Sequence, residues 1–229
     1  MKITILGTGS VGQTWANKLV SLNHKVTIGT RNTEKTLANT EKDRYGSPTF
    51  AEFLQANPLV QLKNYEDAVS DADFVVNATK GESSIAAIKA TGNTINGKII
   101  IDIANPLDFS SGSIPSLIPS LSNTNSLGEE IQKTFPEAKV VKTLNTMWNG
   151  LMVNPQMIAN GDHTNYISGN DIEAKTAVKK LINEFGWKNE NILDLGDISM
   201  ARGTEAILPI WLRIWGATQN GAFNMKIVS

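Results

Sequence analysis

Apolar positions in the N-terminal half fall alternately into short β-branched runs and into stretches with helical spacing, starting from the first residues. Residues 2–6 read as a buried strand, 10–22 as a helix and 25–29 as a second strand. A helix is expected to start near Thr33, and residues 49–56 form another before a strand over 60–63. Residues 65–72 read as helix, 73–78 as strand, 83–90 as helix and 98–103 as strand. This order predicts a parallel sheet covered by helices on both faces. The run Lys98-Ile-Ile-Ile-Asp-Ile103 is apolar on both alternating sides, as a strand in the middle of such a sheet would be.

The pattern then changes. Residues 105–126 are rich in Ser, Pro and Asn without periodicity, which predicts a long surface loop. A helix over 127–134 and a strand over 139–144 follow. Ala177, Leu181, Ile182 and Phe185 give helical spacing to residues 173–185, and 191–195 can add one more strand. The segment 199–226 carries a mostly apolar face.

Composition narrows the function classes. A chain of 229 residues can bury a substantial core. Its net charge of −1 gives no electrostatic case for nucleic acid or an anionic membrane surface. Cysteine is absent, which removes disulfides, thiolate nucleophiles and sulfur-ligated metals and suits a reducing compartment. No apolar run approaches the roughly 20 residues that span a bilayer. The short run Ile3-Thr4-Ile5-Leu6 stops at Gly7, too soon for a signal peptide, so a cytoplasmic location is expected.

The first strand runs directly into Gly7-Thr-Gly9-Ser-Val-Gly12 and then a helix. In this G-x-G-x-x-G context Gly7 permits the tight turn and Gly9 leaves room for a pyrophosphate. Gly12 lets helix and strand pack closely, and the helix N-terminus offers free N–H groups to phosphate. Thr8, Ser10 and Val11 lie in the same loop. The expected fold class is therefore α/β: an NAD(P)-binding Rossmann fold with a doubly wound, mainly parallel sheet and a small C-terminal α/β extension. The expected division puts the nucleotide-binding domain at 1–145. Residues 146–229 form the extension on the acceptor side, with an apolar helix able to make a dimer contact.

The second strand decides which dinucleotide is expected. An NAD site usually places an acid at its tip to accept from the ribose 2′-OH. Here the strand ends in Thr30-Arg31-Asn32, with no acid. Arg31 offers a planar donor fork for a 2′-phosphate, with Thr30, Asn32 and Lys35 as further donors. One charge-assisted contact of this kind is worth roughly 1.5–3 kcal/mol, enough to favour NADP(H) by one to two orders of magnitude. Thr79, Lys80 and Gly81 end the strand expected beside the first, at the crevice where sheet order reverses, and are expected to flank the nicotinamide ribose. Ala104 and Asn105 end the next strand, and Asn145 the one after. All three are expected on the nicotinamide side.

Other constellations carry less. His24 sits in a tight helix-to-strand turn, and His163 in a polar turn expected at the surface; two isolated histidines make no metal site. Lys142 and Asn145 are three apart on an expected strand and so face opposite sides, which rejects them as an acid–base pair. Arg202 and Glu205 are three apart at the start of a helical segment and could form an ion pair on its face. Trp211 and Trp215, with Leu208, Leu212 and Ile214, read as core or dimer contact.

Taken together the chain resembles the F420-dependent NADP oxidoreductases. The matching segments are 2–12, Thr30-Arg31-Asn32, 73–79, 97–106, 140–145 and 199–228, in order and without large insertions. The match departs at Thr79-Lys80-Gly81, where that family tends to carry a proline or aromatic residue. The resemblance implies direct hydride exchange between NADP(H) and a stacked deazaflavin, coenzyme F420, or a related flavin as co-substrate. Such transfer needs two rings held about 3–3.5 Å apart in a dry pocket and little from side chains, so no catalytic acid or base is expected. It also implies that Thr8, Ser10, Val11, Thr30, Arg31, Asn32 and Lys35 contact the phosphates and adenosine end. Thr79, Lys80, Ala104, Asn105 and Asn145 would line the nicotinamide side. Two further readings stay open: a reductase of a small carbonyl or imine substrate, and a non-catalytic NADPH sensor using its apolar C-terminal helix as a partner surface.

Overall fold

The structure, a computed structural model, describes residues 1–41, 48–110 and 114–228. Five strands arise from the N-terminal alternation: β1 (Lys2–Leu6), β2 (Lys25–Thr30), β3 (Val60–Asn64), β4 (Phe74–Asn77) and β5 (Ile99–Asp102). Between them run α1 (Ser10–Ser21), α2 (Thr33–Ala38), α3 (Phe50–Ala56), α4 (Tyr65–Val69) and α5 (Gly81–Lys89). The expected surface loop instead contains a small antiparallel hairpin, β6 (Leu107–Asp108) against β7 (Ser116–Leu117). Strands of two residues show no periodicity, which is why the pattern conceals them.

The rest of the chain supplies α6 (Leu127–Thr134), β8 (Lys139–Thr143), α7 (Asn149–Val153), β9 (Asn165–Ser168), α8 (Ile172–Asn183), β10 (Ile192–Gly196) and α9 (Ala201–Thr218). Neither α7 nor β9 is visible in the pattern; β9 reads Asn-Tyr-Ile-Ser, half polar, and is a strand only through its neighbours. The apolar C-terminal segment is helical only to Thr218, where Gln219 takes a left-handed conformation (φ 53°) and ends α9. Beyond it the tail runs without regular structure, and Phe223 stacks on Trp211 at 5.2 Å.

Eight strands form one sheet in the order β10-β9-β8-β5-β4-β1-β2-β3. All neighbouring pairs are parallel except β8 with β9. The sheet thus continues beyond residue 145: β9 and β10 extend it rather than forming a separate layer.

Both faces of the central strands are apolar, and each face collects its own core. Ile3, Ile5, Val76, Ile101 and Val141 point to the side packed by Trp15 and Leu19 of α1, Leu151 of α7 and Val178 of α8. Leu6, Val75, Ile100 and Val140 point to the other side, against Ile88 of α5, Ile131 of α6 and Ala201 of α9. The chain leaves β1 towards β2 and β3, then returns to place β4 on β1's other edge. A crevice opens at that reversal, outside the carboxyl ends of the strands. Among the described residues no helix is long and apolar enough to cross a membrane.

Candidate functional site

The glycine loop owes its shape to two close approaches. Gly7 has φ 125°, and a Cβ there would lie 2.5 Å from the Ala78 carbonyl oxygen. A Cβ on Gly12 would lie 2.3 Å from the Gly7 carbonyl oxygen. Both positions therefore exclude side chains, and the first presses the glycine loop against the end of β4. Gly9 is different: a Cβ there would meet nothing within 4 Å. Its missing side chain faces open space above the start of α1. No side chain caps α1, and its first turn contains no acid, so the positive end of the helix is left for an anion. Gln13 braces the loop by donating its side-chain amide to the Thr8 carbonyl at 2.9 Å.

In front of the loop lies a cleft of about 620 Å³. Thr8, Gly9, Ser10, Thr30, Arg31, Asn32 and Lys35 line it together, so the structure gathers these seven predicted residues around one space. Arg31 and Lys35 make no ion pair among the described residues, and both are exposed. The Arg31 charge reaches Tyr65, whose hydroxyl is pushed above its ordinary value by burial, with Arg31 opposing. Asn32 and Thr30 are already committed in part. The Asn32 side-chain oxygen accepts from the Lys35 amide at 2.8 Å and caps α2, and its NH₂ has no partner among the described residues. The Thr36 hydroxyl donates to the Asn32 carbonyl at 2.8 Å, so the Thr30 hydroxyl, 2.7 Å away, spends its own proton on Thr36.

Sequence reasoning missed the far wall: Gln13, Thr36, Asn39, Thr49 and Phe50 also line the cleft, with Glu41 as an acid. One signal was available. Thr49 and Glu52 form a capping box at the start of α3, readable as T-x-x-E before an apolar run.

The other predicted residues sit at the ends of β4, β5 and β8. Gly81 is fixed by packing, since a Cβ there would lie 2.2 Å from the Asn105 carbonyl oxygen. Lys80 is exposed and has no ion pair among the described residues. Asn105 and Asn145 bond each other reciprocally: Asn105 donates to the Asn145 carbonyl at 2.7 Å, and Asn145 donates to the Asn105 side-chain oxygen at 2.9 Å. Leu144, just before Asn145, has φ 58°, a strained conformation for a bulky residue. The Asn165 side-chain oxygen accepts from its amide at 3.1 Å and helps hold the turn that delivers Asn145 to Asn105.

Beneath these loops lies a network that the sequence reading did not find. The Lys142 ammonium, 1% exposed, donates to Asp102 Oδ2 at 2.9 Å, the Ala104 carbonyl at 2.6 Å and Glu205 Oε1 at 2.7 Å. Its three protons are thereby used. Asp102 Oδ1 accepts from Asn77 at 2.9 Å and from the Ala104 amide at 3.2 Å. The Asn77 side-chain oxygen in turn accepts from the Thr79 hydroxyl at 2.7 Å. Glu205 also accepts from the Leu127 and Gly128 amides at 2.8 and 3.1 Å, capping the first turn of α6. Burial alone would strip the proton from Lys142, but the two carboxylates outweigh it and hold its pKa above the ordinary lysine value. Burial pushes the Glu205 carboxyl above its ordinary value, against the pull of Lys142. Two carboxylates share one cation, so the second is only partly compensated.

Two expectations are corrected here. Arg202 and Glu205 do not pair: Arg202 forks onto Glu129 at 2.6 and 2.8 Å, while Glu205 turns inward to Lys142. His163 is not on the surface but 3% exposed, bonded to the Pro155 carbonyl at 2.9 Å and to Asn224 at 2.8 Å. His24 bridges the N-terminal ammonium and Glu184, a structural role as expected.

A family model described as NADP oxidoreductase coenzyme F420-dependent matches residues 2–106. An F420-dependent NADP reductase of Methanocaldococcus jannaschii is 30% identical over 217 residues, 92% of this chain and 90% of that one. The chain belongs to the F420-dependent NADP reductase family. A crystal structure from Arthrobacter sp. FB24, provisionally described as an F420-dependent NADP reductase, is 52% identical over the whole of both chains, with a TM-score of 0.93. The metalloreductase STEAP3 of Rattus norvegicus is 27% identical over 216 residues, which are 92% of this chain and 38% of that protein. As a family member the chain is an NADP-dependent oxidoreductase, and its Rossmann-type sheet is the one expected for that class.

Proposed function

We propose that the cleft before α1 holds the phosphates and adenosine end of NADP(H), and that the crevice over β4, β5 and β8 holds its nicotinamide beside a deazaflavin acceptor. One observation carries this reading: an uncapped helix N-terminus, an open Gly9 and two cations without an ion pair among the described residues, Arg31 and Lys35, share a single cleft. An anion with two separated phosphate groups satisfies all of them at once. Gly7, Thr8, Gly9, Ser10, Val11 and Gly12 would cradle the pyrophosphate. Arg31, Lys35 and the Asn32 side-chain NH₂ would take the 2′-phosphate. Thr30 contributes by ordering the start of α2 rather than by donating.

Bound there, NADPH supplies a hydride from its nicotinamide to the acceptor ring. The chain's task is to orient the two rings and keep water away. Thr79, Lys80 and Gly81 would flank the ribose, and Ala104, Asn105 and Asn145 would form the wall against the ring. Asn105 and Asn145 are bonded to each other, so they offer a rigid floor and not a proton donor. Residues 146–229 would supply the acceptor side. We also assign a homodimer through α9, whose Ile210 is 49% exposed on the same helix face as Ile207 and Ile214, and a cytoplasmic location consistent with a cysteine-free chain.

Mixing the protein with NADPH and F420, FMN or FAD, and following loss of reduced-nicotinamide absorbance, tests the reading. Turnover with F420 is expected. NADPH binding without turnover on any acceptor would return the chain to a sensor. Sedimentation at several concentrations tests the dimer.

A further inference from the structure

We infer that Lys142, with Asp102 and Glu205, is a positioning unit that sets the nicotinamide-side wall and ties it to α9. This rests on the reading above that the crevice holds NADP(H). The geometry is specific in three respects. First, Lys142 holds the Ala104 carbonyl while its partner Asp102 holds the Ala104 amide, so both polar groups of one residue are gripped by one ion pair. Ala104 and Asn105 are the residues that would face the ring; the grip fixes Ala104, and Asn145 holds Asn105 beside it. Second, Asp102 passes the restraint through Asn77 to the Thr79 hydroxyl, at the end of the neighbouring strand β4. Third, Glu205 belongs to α9 and caps α6, so the C-terminal region is clamped to the same ammonium.

The unit sits behind the wall with no exposed charge, and every Lys142 proton has a partner inside the protein. It cannot donate to a substrate without breaking its own bonds. Fixing the loop is therefore what it can do. The charges are arranged across two elements whose buried contact is otherwise apolar, notably Gly128 of α6 against Ala201 of α9, with the Arg202–Glu129 pair joining them at the surface. An apolar contact permits sliding, whereas a hydrogen-bonded charge sets a register.

The test compares Glu205→Gln and Asp102→Asn with wild type, using folded protein verified by a cooperative melt. NADP binding is followed by calorimetry, the fluorescence anisotropy of bound NADPH reports how firmly the nicotinamide is held, and turnover with F420 is measured last. The expected result is a Kd for NADP near wild type, because the phosphate cleft is untouched. Anisotropy of the bound ring should fall, and kcat should drop by up to about 100-fold, the scale set by a misplaced reactant. Unchanged anisotropy in both folded variants would overturn the inference. So would failure of both to fold, or loss of affinity in step with kcat, since each points to a purely structural role. Absence of turnover in wild type would sink the proposed acceptor and leave the anisotropy comparison to decide positioning.

Discussion

In the cleft before α1 Arg31 and Lys35 stand exposed with no carboxylate paired to them among the described residues. Beneath the loops that end β4, β5 and β8, Lys142 is 1% exposed and meets three oxygens within 2.9 Å. The difference follows from solvation. An exposed cation is stabilised by water and can exchange that water for phosphate, so leaving it unpaired costs the fold little. A buried cation has no such alternative and must be neutralised by the protein itself. On the proposed reading, the exposed charges are the ones that would receive a ligand, and the satisfied charges the ones that would hold its surface in shape.

Four substitutions can break or sharpen this contrast. The largest effect is expected from Lys142→Met, which strands Asp102 and Glu205 together without a cation. Urea unfolding should show a loss of about 3–5 kcal/mol, whereas Arg31→Ala should stay within about 0.5 kcal/mol of wild type. Comparable losses for the two would erase the distinction. Next comes Gly9→Leu. Gly9 has φ −73° and ψ 178°, a conformation open to any residue, and a side chain there enters empty space. The variant should melt like wild type but take up neither NADPH nor NADH; retained affinity would remove the pyrophosphate from this loop.

Arg31→Ala should weaken NADPH binding by about 10–100-fold and leave NADH nearly unchanged, from a charge-assisted contact of roughly 1.5–3 kcal/mol. Equal losses for both nucleotides in calorimetry would remove the 2′-phosphate from Arg31. The smallest effect belongs to Arg202→Ala. The Arg202 hydrogen bonds hold the Glu129 carboxyl below its ordinary value of 4.5. A carboxylate lowered in this way stabilises the fold above its unfolded pKa, and that contribution is lost as pH falls through the folded one. Solvent screens the pair, so the cost at neutral pH should be the smallest of the four. The gap between variant and wild type should then close below pH 4.5. A gap that persists in acid would assign Arg202 a packing role instead.

The amino-acid sequence by itself determined the sheet's central strands, the glycine loop and the donors at the tip of β2. These are local matters: a run of β-branched residues, a turn that excludes a Cβ, an acid missing from one strand end. Gly12 is constrained by the Gly7 carbonyl, which the motif itself brings close, whereas Gly7 is constrained by Ala78 at the end of β4. Only the tertiary structure decided where charge is neutralised. Asp102 and Lys142 occupy paired positions on adjacent strands, yet they are 40 residues apart in the chain. Glu205 reaches the same ammonium from α9, leaving Arg202 to find Glu129. Spacing along a helix offers Arg202 and Glu205 to each other. The desolvation of Lys142 claims Glu205 first, because a buried cation gains more from a carboxylate than an exposed arginine does. The same holds for His163 and for β9, whose polar sequences become interior only when the tail and the neighbouring strands close over them.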